Sequence, residues 1–333
     1  MTAEGKKLVD CRRLGHSGLT VSAVGLGCNN LGRIGTLTEH QAGVDQVVHA
    51  AVDAGITLFD VADTYGGRTP GLSEQMLGKA LGKRRDEVIV ATKFGMDMAG
   101  VNGHDFGARG SRRYIVRAAE ASLRRLGTDW IDLYQYHTPD NLTPIDETLA
   151  ALDDLVTAGK VRYLGHSNFA GWQVAEAEFT ARALGTTRFI SSQNHYNLLD
   201  RRAELEITPA AEAYGLGVLP YFPLANGLLT GKYSQGSAPD GSRLTFTRQH
   251  LVENLDLAQM KAFGDFARER DLTEVQVAFS WLASRPSVGS VIAGATKIQQ
   301  VQQNAAAAGW VPTAEDEAAL DEIFPVAPKV ALF

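Results

Sequence analysis

The sequence predicts an α/β fold: a closed barrel of eight strand–helix units, with an extra N-terminal β-hairpin and a long loop after the seventh strand. Three observations carry this. Short β-branched runs alternate with amphipathic stretches in βαβα order, eight such units fit within 333 residues, and no Pro- or Ser-rich linker divides them. Residues 1–333 therefore read as a single barrel domain, with an open doubly wound sheet as the competing arrangement.

Arg12–Val21, with Gly15 and Gly18 between short runs, reads as the hairpin, and Val24–Gly27 as the first barrel strand. The remaining strands fall at Ile56–Asp60, Val88–Lys93, Ile131–His137, Val161–His166, Phe189–Gln193, Gly217–Tyr221 and Val288–Ile292. In the helix Ser111–Leu126, Val116, Ala119, Leu123 and Leu126 share one apolar face, and Gly127 supplies the stop. In Thr143–Ala158, Thr143 is placed to cap, Pro144 takes the first helical position and Asp146 the third. Leu149, Leu152 and Leu155 then face inward, and Gly159 ends the helix. Pro223–Leu251, rich in Gly, Ser and Pro, is long for a passive connection and reads as a functional loop. Lys297–Ala308 forms a further helix.

Composition narrows the function. The chain is 44% hydrophobic and 21% charged, as in proteins with a sizeable core. Its 32 basic and 38 acidic residues give a net charge of −6, which argues against nucleic acid or an anionic membrane as the main partner. Two cysteines, Cys11 and Cys28, provide no disulfide framework, and no His, Asp or Glu cluster has metal spacing, so no metal is expected. Without a signal-type h-region or a membrane-length apolar run, a soluble cytoplasmic protein is the default.

The strand ends carry the chemistry. They are Gly27-Cys28-Asn29, Asp60 through Tyr65, Lys93, His137, Ser167-Asn168, Gln193, Tyr221 and Gly294-Ala295-Thr296. A closed barrel converges them on its carboxyl face, where catalytic residues of this architecture gather. A phenol has an ordinary pKa of about 10, and a nearby ammonium favours its ionised form. Asp60–Lys93–Tyr65 therefore reads as a tuned proton donor, with His137 placed on the same substrate oxygen. None of these side chains is redox-active, so any electrons must come from a cofactor. Ser167, Asn168 and Gln193 suit a carboxamide, Tyr221 suits stacking on its ring, and the glycine-led helix start after Gly294 suits a phosphate.

These residues lie in motifs that resemble the aldo-keto reductases, in particular the long-loop group similar to potassium-channel β-subunits. The resemblance runs from GHSGLTVSAVGLG to GATKIQQVQQN through GITLFDVADTYG, VIVATKFG, SLRRLGTDWIDLYQYH, LGHSNF, SSQNHYNLLDRR and YFPLANGLLTGKY. It implies NAD(P)H-dependent reduction of a small carbonyl compound. The family tetrad falls on Asp60, Tyr65, Lys93 and His137, with Tyr65 the proton donor. Carboxamide contacts fall on Ser167, Asn168 and Gln193, and the stacking ring on Tyr221. The pyrophosphate segment falls on Phe222, Pro223, Leu224, Ala225, Lys232 and Arg243. The adenosine end falls on Gly294, Thr296, Lys297, Gln300, Gln303 and Asn304.

Two departures bear on the cofactor. Phe222 stands where the family often has Ser, and Gln300 stands where many relatives have an arginine for the 2′-phosphate. With Lys297 to supply charge, NADPH is expected, and NADH is the alternative. The opposing reading is a nucleotide-binding redox sensor or regulatory subunit with slow turnover, and a homo-oligomer is compatible with either.

Other residues get simpler readings. Arg68 and Arg109 read as surface charges, although they lie where an anionic substrate would pass. Lys83–Arg85 and Arg124–Arg125 read as solvated helix ends. Trp130 and Trp172 read as core, His166 as structural and His195 as packing. Cys28 reads as a buried inert thiol. The apolar tail Pro325–Phe333 is a candidate pocket wall.

Overall fold

The structure is a computed structural model that describes residues 9–233 and 250–326. It opens with an antiparallel hairpin of β1 (Cys11–Arg13) and β2 (Thr20–Ser22). Eight parallel strands follow: β3 (Val24–Gly27), β4 (Leu58–Asp60), β5 (Ile89–Phe94), β6 (Ile131–Tyr136), β7 (Val161–Ser167), β8 (Phe189–Gln193), β9 (Gly217–Val218) and β10 (Val291–Gly294). Their spatial order is β10-β3-β4-β5-β6-β7-β8-β9. The two outer strands meet through the bridges Val218–Val288 and Tyr221–Ile292, which close the barrel.

Helices wrap the outside: α1 (Gln41–Asp53), α2 (Leu72–Leu81), α3 (Arg112–Leu126), α4 (Ile145–Thr157), α5 (Gly171–Leu184) and α6 (Ala203–Tyr214). They are followed by α7 (His250–Glu253), α8 (Leu257–Glu269), α9 (Glu274–Ala283), α10 (Ile298–Ala306) and α11 (Ala314–Ile323). Strands covered on both faces need no polar–apolar alternation, and β6 is buried at every position. The hairpin plugs the amino end of the barrel. Leu14, Leu19 and Val21 pack with Leu58, Ala91, Leu133, Leu219 and Ile292, one apolar cluster drawn from strands all round the ring.

Several local expectations are corrected. The last strand starts at Val291, because Ser287 and Val288 are occupied by the seam with Val218. Thr143 does not cap α4. Its hydroxyl donates to Asp140 Oδ2, and Asp140 Oδ1 takes the Leu142 and Thr143 amides, so the aspartate organises this turn. On α3, Ala119, Leu123 and Leu126 are buried, but Val116 is exposed and Ile115 and Ala118 take the inward positions. Trp172 is 64% exposed on α5 and is not core. Trp130 is half-buried between the guanidinium groups of Arg85 and Arg162, each 4.7 Å from its ring.

Arg85 and Arg125 are not solvated helix ends. Arg85 bonds Asp132 at 2.6 Å, and Arg125 bonds the fully buried Glu74 at 2.6 Å. Arg125 also donates to Asn102, which in turn donates to Asp63, and Glu74 accepts from Thr92. This buried polar chain ties α2 and α3 to β5 and to the turn after β4. Arg243 and residues 234–249 of the long loop lie outside the described residues, as do residues 327–333 of the tail.

Candidate active site

The carboxyl ends of β4, β5 and β6 bring Asp60, Lys93 and His137 together, and the turn after β4 returns Tyr65 to them. Lys93 Nζ donates to both Asp60 carboxylate oxygens at 2.7 Å, to the Val61 carbonyl at 3.0 Å and to Tyr65 Oη at 3.4 Å. The lysine is wholly buried. The Tyr65 turn is fixed from behind, where Ser73 N donates to the Tyr65 carbonyl and Ser73 Oγ to the Cys28 carbonyl. The Tyr65 and His137 rings meet edge to face at 5.9 Å.

Electrostatics refine the sequence reading. Burial works against the Lys93 ammonium, but Asp60 and Tyr65 outweigh it, so its pKa lies above the ordinary value. For Tyr65 burial is the largest influence and raises the phenol pKa. Lys93 pulls it down and Asp60 pushes it up again. The lowered phenol pKa expected from sequence is therefore not found, because burial outweighs the pull of Lys93 and Asp60 adds to it. His137 is not a switchable imidazole either. Burial, helped by Lys93, lowers its pKa to about 3, and Nδ1 has no hydrogen-bond partner among the described residues. Burial also raises the Cys28 thiol pKa, consistent with an inert thiol.

The opposite side of the mouth holds Ser167, Asn168, Gln193 and Tyr221, largely bonded to one another. Ser167 Oγ donates to the Gln193 carbonyl. Asn168 Nδ2 donates to Ser167 Oγ and the His137 carbonyl, and Tyr221 Oη donates to Asn168 Oδ1 at 2.9 Å. Gln193 Nε2 is committed to Asp60 Oδ1 at 2.8 Å. Asn168 adopts φ +59, a left-handed conformation that asparagine tolerates, and this turns its amide back across the strand end.

Gln135 and Asp63 escape the sequence reading, which gives His195 only a packing role. Gln135 donates to Asp60 Oδ1 at 3.3 Å, and its signal was a polar residue inside an otherwise buried strand. His195 stacks on Tyr221 with centroids 5.4 Å apart and planes within 7°, while its Nδ1 lies 3.0 Å from Asp200. Asp63, buried beside the Lys93 carbonyl, anchors Asn102.

The residues assigned to phosphates are more scattered. Phe222 and Ala225 have positive φ, at +54 and +46, in a turn whose Phe222 carbonyl accepts from Asn197. Pro223 and Leu224 continue this turn, and Lys232 approaches Gly227 at its far end. Gly294, Lys297 and Gln303 are exposed, whereas Asn304 is buried on α10. Gln300 Oε1 accepts from the Thr296 amide and hydroxyl, so it covers the start of α10 itself. Arg109 is held by Asp105 and Asp97.

Asp60, Lys93, Tyr65 and His137 thus stand together at the carboxyl end of a closed eight-stranded barrel. Comparison with known proteins places this barrel in a family of enzymes. The model of the aldo/keto reductase family matches residues 23–324, and the chain belongs to that family. It is 37% identical to an uncharacterised oxidoreductase, YrpG, of Bacillus subtilis, over 94% of this chain and 95% of that one. It is 35% identical to a probable voltage-gated potassium channel subunit beta of Oryza sativa subsp. japonica, over 90% and 92% respectively. It is 32% identical to the L-glyceraldehyde 3-phosphate reductase of Escherichia coli K12, over 88% and 86%.

Proposed function

We propose that the chain, residues 1–333 as one barrel unit, reduces an aldehyde or ketone to the alcohol with NADPH, Tyr65 giving the proton. The observation that carries this reading is the Lys93 ammonium, clamped by Asp60 and 3.4 Å from the Tyr65 hydroxyl. As the Tyr65 proton leaves for the substrate oxygen, the negative charge on the phenol falls beside that ammonium, in a site shielded from water. Neutral His137, edge-on to Tyr65, is left to hydrogen-bond the same oxygen. When bound, the nicotinamide cofactor supplies the hydride to the carbonyl carbon.

The residues present fit such a cofactor. Tyr221 is stacked by His195 on one face and pinned by Asn168 through its hydroxyl, which preorganises its other face for a flat ring. Gln193 Oε1 has no described partner and remains to accept from a carboxamide, with Ser167 and Asn168 alongside. Lys232, beside the turn at Gly227, and Lys297, ahead of α10, supply positive charge for phosphates.

The test is NADPH oxidation against a panel of aldehydes and ketones, for wild type and Tyr65→Phe. The expected result is a rate loss of about 10²-fold or more with NADPH binding retained. Tight NADPH binding with negligible turnover on every substrate in both proteins would replace this reading with a nucleotide sensor.

A further inference from the structure

Among the described arginines that are at least partly buried, Arg33 alone has no hydrogen bond or ion pair for its guanidinium. Arg85, Arg125, Arg201, Arg270 and Arg285 each hold a carboxylate, and Arg12 holds a backbone carbonyl. Arg33 is half-buried in the loop between β3 and α1. The carboxylate of that loop, Glu39, accepts from the Gly35 amide at 2.8 Å instead. Burial lowers the Arg33 pKa, and no carboxylate offsets it. Removing a cation from water without a counter-charge is unfavourable, so fold stability does not account for this side chain.

The loop lies at the reactive end of the barrel, since Gly27, the last residue of β3, pairs in register with Asp60. It is well fixed. Thr38 Oγ1 donates to the Asn30 carbonyl at 2.7 Å, Gly32 N donates to the Thr38 carbonyl at 2.7 Å, and Thr36 bonds the Arg33 carbonyl. Gly32, at φ +82, rests on Leu72 so closely that a Cβ there would lie 2.9 Å from Leu72 Cδ2. Leu72 opens α2 at the end of the turn that presents Tyr65, and Ser73 N closes that turn on the Tyr65 carbonyl. Arg33 therefore follows directly on the residue that packs against the proton donor's turn. On that same turn Arg68 is exposed without a described partner, and Gly67 has open space around it.

We infer that Arg33, with Arg68 at the rim, receives an anionic group, a carboxylate or phosphate, carried by the carbonyl substrate away from its reacting C=O. This rests on the reductase reading above. A guanidinium offers two parallel donors to such a group, and a partly buried one binds it more strongly than a surface lysine does.

The test compares 4-carboxybenzaldehyde with neutral 4-methylbenzaldehyde at saturating NADPH, for wild type, Arg33→Gln, Arg33→Lys and Tyr65→Phe. Arg33→Gln is expected to raise KM for the carboxylate aldehyde about ten-fold or more, leaving the neutral aldehyde within about two-fold, with partial recovery in Arg33→Lys. Equal losses on both aldehydes, or no change on either, overturn the inference. So does weaker binding of NADPH but not NADH in Arg33→Gln, since the guanidinium would then read the cofactor's 2′-phosphate. Failure of the reductase reading is seen separately, as turnover of the neutral aldehyde that survives Tyr65→Phe. Calorimetric binding of 4-carboxybenzyl alcohol to the NADPH-loaded protein tests Arg33 without turnover. Binding that is lost in Arg33→Gln supports the inference, and no binding to wild type overturns it.

Discussion

Lys93 and Asp60 illustrate how a buried charge constrains its neighbours. Lys93→Met leaves the Asp60 carboxylate buried with only the amides of Gln135 and Gln193 as described side-chain donors. Removing one partner of such a pair is expected to cost about 3–5 kcal/mol, read as a lower urea midpoint, besides any loss of rate. Asp60→Asn strands the lysine in the same way. The buried histidines act through pH. His137 and His166 both have pKa values lowered to about 3 by burial, and both nitrogens of His166 lack partners among the described residues while its ring stacks on Phe169 at 4.4 Å. Below the ordinary histidine pKa of about 6.5 the unfolded chain takes up protons that the folded chain refuses. Stability is thus complete above that pH and is lost as the pH falls towards 3. Replacing His166 with Phe is expected to flatten this acid-side decline in a melting-temperature series from pH 7 to 4. An unchanged slope would mean that His166 does not titrate as its burial requires.

At the level of elements, the packing of the hairpin on the barrel depends on two glycines. A Cβ on Gly217 would lie 2.4 Å from Leu14 Cδ1 and 2.7 Å from the Gly15 amide, and one on Gly289 would lie 2.6 Å from Leu14 Cδ1. Gly217→Ala, which meets backbone as well as side chain, is expected to destabilise by about 1–3 kcal/mol in denaturant titration, and Gly289→Ala by less. The parallel strands were legible in the sequence because two-sided burial writes them as continuous β-branched runs, and Phe189–Gln193 falls where it was expected. Strand ends were legible for the same reason, and they led to Asp60, Lys93 and His137. What could not be read depends on partners distant in sequence. Arg125 looks like a helix-end charge until Glu74, 51 residues earlier, is brought beneath it. Thr143 is a reasonable cap until Asp140 engages its hydroxyl first. Arg33 carries no motif, and only the absence of a described partner in the folded chain marks it out.

Across the whole molecule the barrel is held unevenly. Adjacent inner strands share long registers, as between β5 and β6 or β6 and β7, whereas β9 has two residues and, among the described residues, it and Tyr221 just after it meet the β10 side through isolated bridges at Val218 and Tyr221. Amide exchange is expected to be faster at Val218, Gly289 and Ile292, whose bonds form that seam, than at Leu133 or Leu164 in the opposite wall. Tyr221 stands on one side of the seam and Thr296 just beyond β10 on the other, so on the proposed reading a dinucleotide reaching from one to the other would act as a clasp on a hoop. By mass action, a ligand at 100 times its Kd adds about 2.7 kcal/mol to stability, and here that increment is expected to appear first as slowed exchange at the seam. Cofactor supply would then govern how long the chain survives proteolysis as well as how fast it turns over, and the empty protein would be cut first near the β9–β10 join.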